Sequence, residues 1–186
     1  MRSDLEMIGA LFEATISYTI KNMFQNIYVI NGKTLKCKYL RRGVTQVDLI
    51  VVTDNSIFCI EAKRWRKYIK GEIEDYEWVA LSNKPQCMFV TNPILQNLTH
   101  IRMIKSEAIK KGIKLPHVHN IICVPDECDI QTSCKEVMHL SELILFIQND
   151  IKDKKSNKYN KELITSFIRK LGVDKNRNRN TDLRRR

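Results

Sequence analysis

The sequence predicts an α/β or α+β domain, and three observations carry that reading. Residues 4–26 repeat apolar side chains at helical spacing, strand-like apolar runs fill residues 27–81, and a helix, a strand and two more helices follow. That order argues against an all-β fold. The chain has 186 residues, 43% hydrophobic and 28% charged, enough for one well-buried core and a small appendage. A core over residues 1–150 and a basic C-terminal segment over 151–186 is the expected division.

In residues 4–26 the helical stripe is Ile8, Leu11, Phe12, Ile16, Ile20, Met23 and Phe24. Glu13 falls inside this apolar arc. It is either a boundary glutamate that snorkels or meets a lysine, or an acid that a site requires. Ile27–Ile30 and Thr34–Leu40 read as a hairpin turned by Asn31-Gly32. After Arg41-Arg42-Gly43 come two further strands, Thr45–Thr53 and Ile57–Lys63, joined across Asp54-Asn55-Ser56. Short strands are expected at Gly71–Ile73 and Tyr76–Leu81, with a break at Asn83-Lys84-Pro85. Asn92-Pro93 opens a helix whose stripe of Ile94, Leu95, Leu98, Ile101, Ile104 and Ile109 runs to Lys111-Gly112. Val118–Val124 is an apolar strand. Residues 141–152 and 160–171 are amphipathic helices flanking the polar stretch Asp153–Asn160.

The formal charge is +11, but its placement matters more. Residues 151–186 carry 13 Lys/Arg against 4 Asp/Glu, whereas residues 1–150 carry 19 against 17. Such a tail, ending in Arg184-Arg185-Arg186, gives salt-sensitive affinity for phosphate backbones, or is a solvated terminus. The six cysteines include no CxxC pair. Cys123, Cys128, Cys134 and His139 have spacings that match no usual zinc pattern, so reduced thiols are expected. No apolar run approaches the ~18 residues of a membrane span, and the N-terminus has no signal-peptide core. A cytoplasmic protein is the expectation.

The chemistry concentrates in the 45–63 hairpin. With Asp54-Asn55 as a two-residue loop, Thr53 faces Ser56, Asp48 faces Glu61 and Gln46 faces Lys63. Strand alternation then points all four of Gln46, Asp48, Glu61 and Lys63 the same way. Two carboxylates at cross-strand distance repel unless a positive charge lies between them. Glu13, Asp48 and Glu61 are hard oxygen ligands suited to Mg2+ or Mn2+, and no histidine is near them in sequence. Lys63 is placed to position a water or to neutralise a pentavalent phosphoryl transition state. Arg64, Trp65, Arg66, Lys67 and Tyr68 follow at once. They read either as a grip on phosphates and bases or as an exposed basic edge strand protected from aggregation.

Asp48 followed by Glu61-Ala62-Lys63 resembles the PD-(D/E)XK nuclease superfamily and, more narrowly, the NERD (nuclease-related) domain. Four segments in order carry the resemblance over about residues 5–120. Gly9-Ala10-Leu11-Phe12-Glu13 is similar to the family's opening helix, and Thr45-Gln46-Val47-Asp48 to its Thr-Gln-hydrophobic-Asp strand. Phe58 to Trp65 is similar to its Ile-Glu-x-Lys-x-aromatic segment, followed by Gly71 and Trp78. Asn92-Pro93-Ile94-Leu95-Gln96-Asn97 resembles its Asn-Pro-x-x-Gln-Asn helix start, with His100 as an extension. Leu49 stands where the family usually has histidine, and Phe12 where glycine is common. Neither departure touches an expected ligand.

The resemblance implies a restriction-endonuclease-like central mixed sheet flanked by helices, with the site hairpin at its centre. It implies Glu13, Asp48 and Glu61 as acidic metal ligands, Lys63 as catalytic lysine, and Gln96 as a contact to substrate or to a metal-bound water. The expected function is a Mg2+- or Mn2+-dependent nuclease acting on DNA rather than RNA, working alone, as a homodimer or beside a partner protein. The competing readings are a non-catalytic nucleic-acid-binding module on the same fold and a partner-docking protein that uses the helices after residue 140.

Overall fold

Ser56–Ala62 (β3) is buried along almost its whole length, because helices cover the sheet on both sides of it. The computed structural model describes residues 4–37, 43–81, 87–153 and 159–172. Asp4–Met23 (α1) precedes Tyr28–Lys36 (β1), Val44–Val52 (β2) and β3, and then Tyr68–Lys70 (β4), Glu77–Leu81 (β5) and Met88–Thr91 (β6). Pro93–Lys110 (α2), His117–Val124 (β7), Asp129–Gln131 (β8), Val137–His139 (β9), Leu140–Lys152 (α3) and Lys161–Lys170 (α4) complete the described chain.

The main sheet has the order β1-β2-β3-β7-β9, antiparallel across the first three strands and parallel from β3 onward. A smaller sheet has the order β6-β5-β4-β8. Leu49, Val51, Phe58 and Ile60 pack with Phe12, Ile16 and Ile20 of α1 and Leu143, Ile144 and Ile147 of α3. The alternate residues Ile50, Val52, Ile57 and Cys59 pack instead with Ile101 and Ile104 of α2 and Ile164, Phe167 and Ile168 of α4. The fold is therefore a mixed α/β sandwich with the 44–62 hairpin at its centre. Burial on both faces explains why this hairpin reads as a nearly continuous apolar run.

The β2–β3 register is the one the two-residue loop requires, with Leu49, Ile50, Val51 and Val52 opposite Ile60, Cys59, Phe58 and Ile57. The Thr53 N–H donates to the Ser56 carbonyl at 3.0 Å, closing the turn. The Asn31-Gly32 hairpin does not form. Residues 28–36 are one strand paired with β2 throughout, from Tyr28–Val52 to Lys36–Val44. Gly32 supplies its positive φ of 58° inside that strand, across from Asp48. The kink inverts the strand faces. Ile30 and Leu35, five residues apart, reach the same core cluster, as do Val47 and Ile50, three apart. Strict alternation fails in both strands at the level of Asp48.

Other boundaries shift modestly. The first helix ends at Met23, and the strand expected at 71–73 lies instead at Tyr68–Lys70. Gly71 lies against Trp78, where a Cβ would meet the indole at 2.3 Å, and Trp78 Nε1 donates to the Glu72 carbonyl. α2 starts at Pro93 behind Asn92, whose side chain accepts from the N–H groups of Ile94 and Leu95. The two helices after residue 139 both form, and α4 is seated on the main sheet by Ile164, Phe167 and Ile168. The break at Asn83-Lys84-Pro85 and the basic tail beyond Gly172 lie outside the described residues.

Candidate active site

Past Leu49–Ile60 the antiparallel pairing of β2 and β3 ends, and the acid pair sits where it ends. In a continued ladder the Ala62 N–H would bond the Val47 carbonyl. It donates instead to Asp48 Oδ2 at 2.9 Å. The Asp48 carboxylate thus replaces a ladder acceptor and opens a gap between the strands. β3 itself stays anchored on its other side, where Glu61 pairs with Ile122 and the Lys63 N–H donates to the Cys123 carbonyl at 2.9 Å.

Glu61 is the centre of the cluster. Lys63 Nζ and Gln96 Nε2 each donate to its Oε1 at 2.7 Å, and Lys63 Nζ also reaches Gln96 Oε1 at 3.2 Å. Glu61 is 4% exposed at its side chain and Lys63 is 23% exposed, so the lysine is the member that solvent or a substrate can reach. Glu61 Oε2 is buried and has no hydrogen-bond partner. Burial raises the Glu61 pKa most, the Lys63 charge and its hydrogen bond oppose this, and the Glu13 charge adds to the rise. Asp48 is pushed up to about 7, first by burial and then by the Glu61 charge, against the Ala62 N–H and the Lys63 charge. Two acids this poorly compensated by protein groups favour a cation.

The donor set fits a hard divalent ion: two carboxylates, one with a buried oxygen left over. Among the described residues no three His, Cys, Asp or Glu side chains form a ready-made cage. Glu13 is within electrostatic reach of Glu61 but does not complete such a set. A site of two acids with the remaining positions left to water is the arrangement magnesium tolerates best.

Behind Glu61 lies a buried polar layer that the sequence reading left largely unassigned. Asn97 Nδ2 donates to the carbonyls of Cys59 and Ile121 and to Asn120 Oδ1 at 2.7 Å. Its Oδ1 faces Cys59 Sγ and His100 Nδ1, each at 3.2 Å. His100 Nε2 lies 2.8 Å from Thr45 Oγ1. Burial, then the Lys63 charge, pushes His100 down to about 4, so the ring is neutral near pH 7. The signal for this layer was available: Asn97 and His100 fall on the same buried face of α2 as Ile94, Ile101, Ile104 and Ala108. Polar residues on an apolar stripe need partners.

The basic run is less uniform than expected. Trp65 is 7% exposed and packs with Ile69, Trp78 and Ile94, so it is a core residue and not a stacking platform. Arg66 Nε lies 2.8 Å from Glu127 Oε1, out of line for a hydrogen bond. Arg64 and Arg66 border a hollow of about 250 Å³ beside Leu11, Phe12 and Glu127. Lys67 is exposed. Gln46 is exposed and pairs with Thr34, not with Lys63. Cys123, Cys128 and Cys134 are free thiols, and His139 Nε2 bonds the Cys128 carbonyl. No described helix is long and apolar enough to cross a membrane.

The chain is 26% identical over 162 residues to an uncharacterized protein of Bacillus anthracis, an alignment covering 73% of this chain and 74% of that one. No solved structure matches it. The profile of the nuclease-related domain matches residues 8–125, which takes in α1, the acid hairpin, α2 and β7. With Asp48, Glu61, Lys63 and Gln96 gathered inside that span, the chain belongs to the nuclease-related domain (NERD) family.

Proposed function

We propose that the protein is a Mg2+- or Mn2+-dependent nuclease that hydrolyses phosphodiester bonds, with DNA as its substrate. The observation that carries this is the Glu61 carboxylate, which has Oε1 held by Lys63 and Gln96 while the buried Oε2 is left over beside Asp48. A bound divalent ion supplies Lewis-acid stabilisation of the charge that develops on a phosphoryl oxygen. Asp48 and Glu61 hold that ion. Asp48 is fixed by the Ala62 N–H, and Glu61 by Gln96 and Lys63. Lys63 is the exposed end of the cluster. Its ammonium orients the attacking water and neutralises charge on the scissile phosphate. Gln96, one turn into α2, sets the lysine–glutamate geometry through both ends of its amide. Glu13 contributes negative charge to the site from electrostatic range. Lys67, Gln46 and Arg64 bear on the nucleic-acid backbone, and the C-terminal charge adds non-specific affinity.

Cleavage of circular, linear and single-stranded DNA and of RNA, in Mg2+, Mn2+ or EDTA, tests the proposal. Metal-dependent cutting of DNA is expected. Lys63→Ala and Asp48→Ala should each lower it by about 100-fold or more while leaving the circular dichroism spectrum unchanged. Nucleic-acid binding that persists in EDTA with no cutting in either metal would instead identify a binding module.

A further inference from the structure

Two of the motif segments, Thr45-to-Asp48 and Asn92-to-His100, are joined by one hydrogen bond that the catalytic reading does not use: Thr45 Oγ1 to His100 Nε2 at 2.8 Å. His100 is fully buried, as is Asn97. The proton on the imidazole can be placed from its surroundings. Asn97 Nδ2 is surrounded by the acceptors Cys59 O, Asn120 Oδ1 and Ile121 O, so Oδ1 is the atom that faces His100. Asn120 is held in its own orientation by donating to the Ile94 carbonyl. An acceptor at 3.2 Å from Nδ1 places the proton on Nδ1, which leaves Nε2 to accept from the Thr45 hydroxyl. Nδ1 also lies 3.6 Å from Glu61 Oε2, the buried oxygen with no hydrogen-bond partner, so its one proton, directed at Asn97 Oδ1, can be shared between the two oxygens.

We propose that His100 is the positioning residue for the acid pair, orienting Glu61 through Oε2, with Asn97 Oδ1 setting its tautomer and Thr45 anchoring the ring at Nε2. The inference rests on the reading of Asp48 and Glu61 as cation-binding acids. At 3.6 Å the contact is too long for a hydrogen bond, and a small rotation of either group closes it. Contacts of this kind are commonly long in the free enzyme and shorten in the loaded one. Lys63 and Gln96 fix Oε1 from the solvent side, and His100 fixes Oε2 from the core side. The carboxylate is then held at both oxygens, with Oε2 keeping a lone pair for a cation. Thr45 and His100 thereby acquire a task that packing alone does not give them: a valine and a phenylalanine would fill the same space without a donor.

Mn2+ titration by calorimetry on the full-length protein, together with kcat and KM for cleavage, tests this. His100→Phe removes the donor, and Thr45→Val removes the hydrogen bond that anchors the ring at Nε2. His100→Phe should weaken Mn2+ binding about 10–100-fold, the range typical for residues that orient a metal ligand, and lower kcat with KM little changed. Thr45→Val should move both quantities in the same direction by less, and it carries the test if phenylalanine at 100 prevents folding. His100→Gln, which keeps an N–H donor, should retain more Mn2+ affinity than His100→Phe. Wild-type Mn2+ affinity and kcat in a folded His100→Phe or Thr45→Val protein would overturn the proposal, as would a lowered melting temperature with both quantities unchanged. Equal losses in His100→Gln and His100→Phe would overturn the donor role. Wild-type protein that binds Mn2+ no better than Asp48→Ala would bring down the underlying reading of the acid pair as well.

Discussion

The two ends of the β2–β3 hairpin contrast sharply in how their polar groups are satisfied. At the turn, Asp150 of α3 accepts from Thr53 Oγ1 at 2.5 Å and from Ser56 Oγ at 2.7 Å. Asn55 Nδ2 donates to the carbonyls of Asp150 and Asp153. Thr53 Oγ1 also accepts from the N–H groups of Asn55 and Ser56. At the other end Asp48 and Glu61 repel each other, Glu61 Oε2 has no hydrogen bond, and burial raises both carboxyl pKa values. One hairpin thus carries a polar cluster closed on itself and another that is left incomplete. The closed cluster stabilises the fold and offers nothing to a ligand. The open one costs stability, and in the proposed function it supplies the cation-binding capacity.

The contrast can be broken or sharpened by experiment. The largest effect expected is on the open end. Mn2+ at about 100 times its dissociation constant should stabilise the wild type by about 2.7 kcal/mol in thermal or urea unfolding, and Asp48→Ala should abolish the gain. At the closed end Asp150→Ala should cost about 2 kcal/mol in urea unfolding, because two hydroxyls lose their acceptor, with cleavage per folded molecule unchanged. A loss of cleavage at constant stability would erase the distinction between the two ends.

A third effect is the pH dependence of the metal-free protein. Asp48 has its folded pKa raised from 3.8 to about 7, so the folded state holds this proton more tightly than the unfolded state. Its contribution is therefore full below pH ~4 and is lost as pH rises through about 7. Asp48→Asn removes that dependence. In EDTA the variant should gain stability relative to wild type between pH 5 and pH 8, read as a widening difference in melting temperature. A constant difference across that range would show that Asp48 titrates normally.

How legible these features were in the sequence follows from how local their causes are. The hairpin register followed from a two-residue polar loop, and the structure has that register over Leu49–Val52 and Ile57–Ile60. The start of α2 was legible because Asn92 caps it and Pro93 opens it, both within one turn. Asn31-Gly32 was misread because a positive φ serves a tight turn and a kinked strand equally well. What decides between them is β2, which pairs on both sides of Gly32. Trp65 sits in a run of cations, and only the second sheet, with Ile69 and Trp78, determines that its indole is buried.

By itself the sequence determined the family, the acid hairpin and the helices, and it singled out Asp48, Glu61, Lys63 and Gln96 as candidates, because local pattern and short motifs encode them. Tertiary structure decided that β2 and β3 part at Asp48, that the strand faces invert there, and that α4 completes the core over β1 and β2. It also decided that Thr45, Glu61, Asn97 and His100 converge. The contacts Thr45–His100 and Glu61–His100 join residues 55 and 39 positions apart, and no local propensity specifies contacts at that separation. Only the packing of α2 against the sheet brings them together.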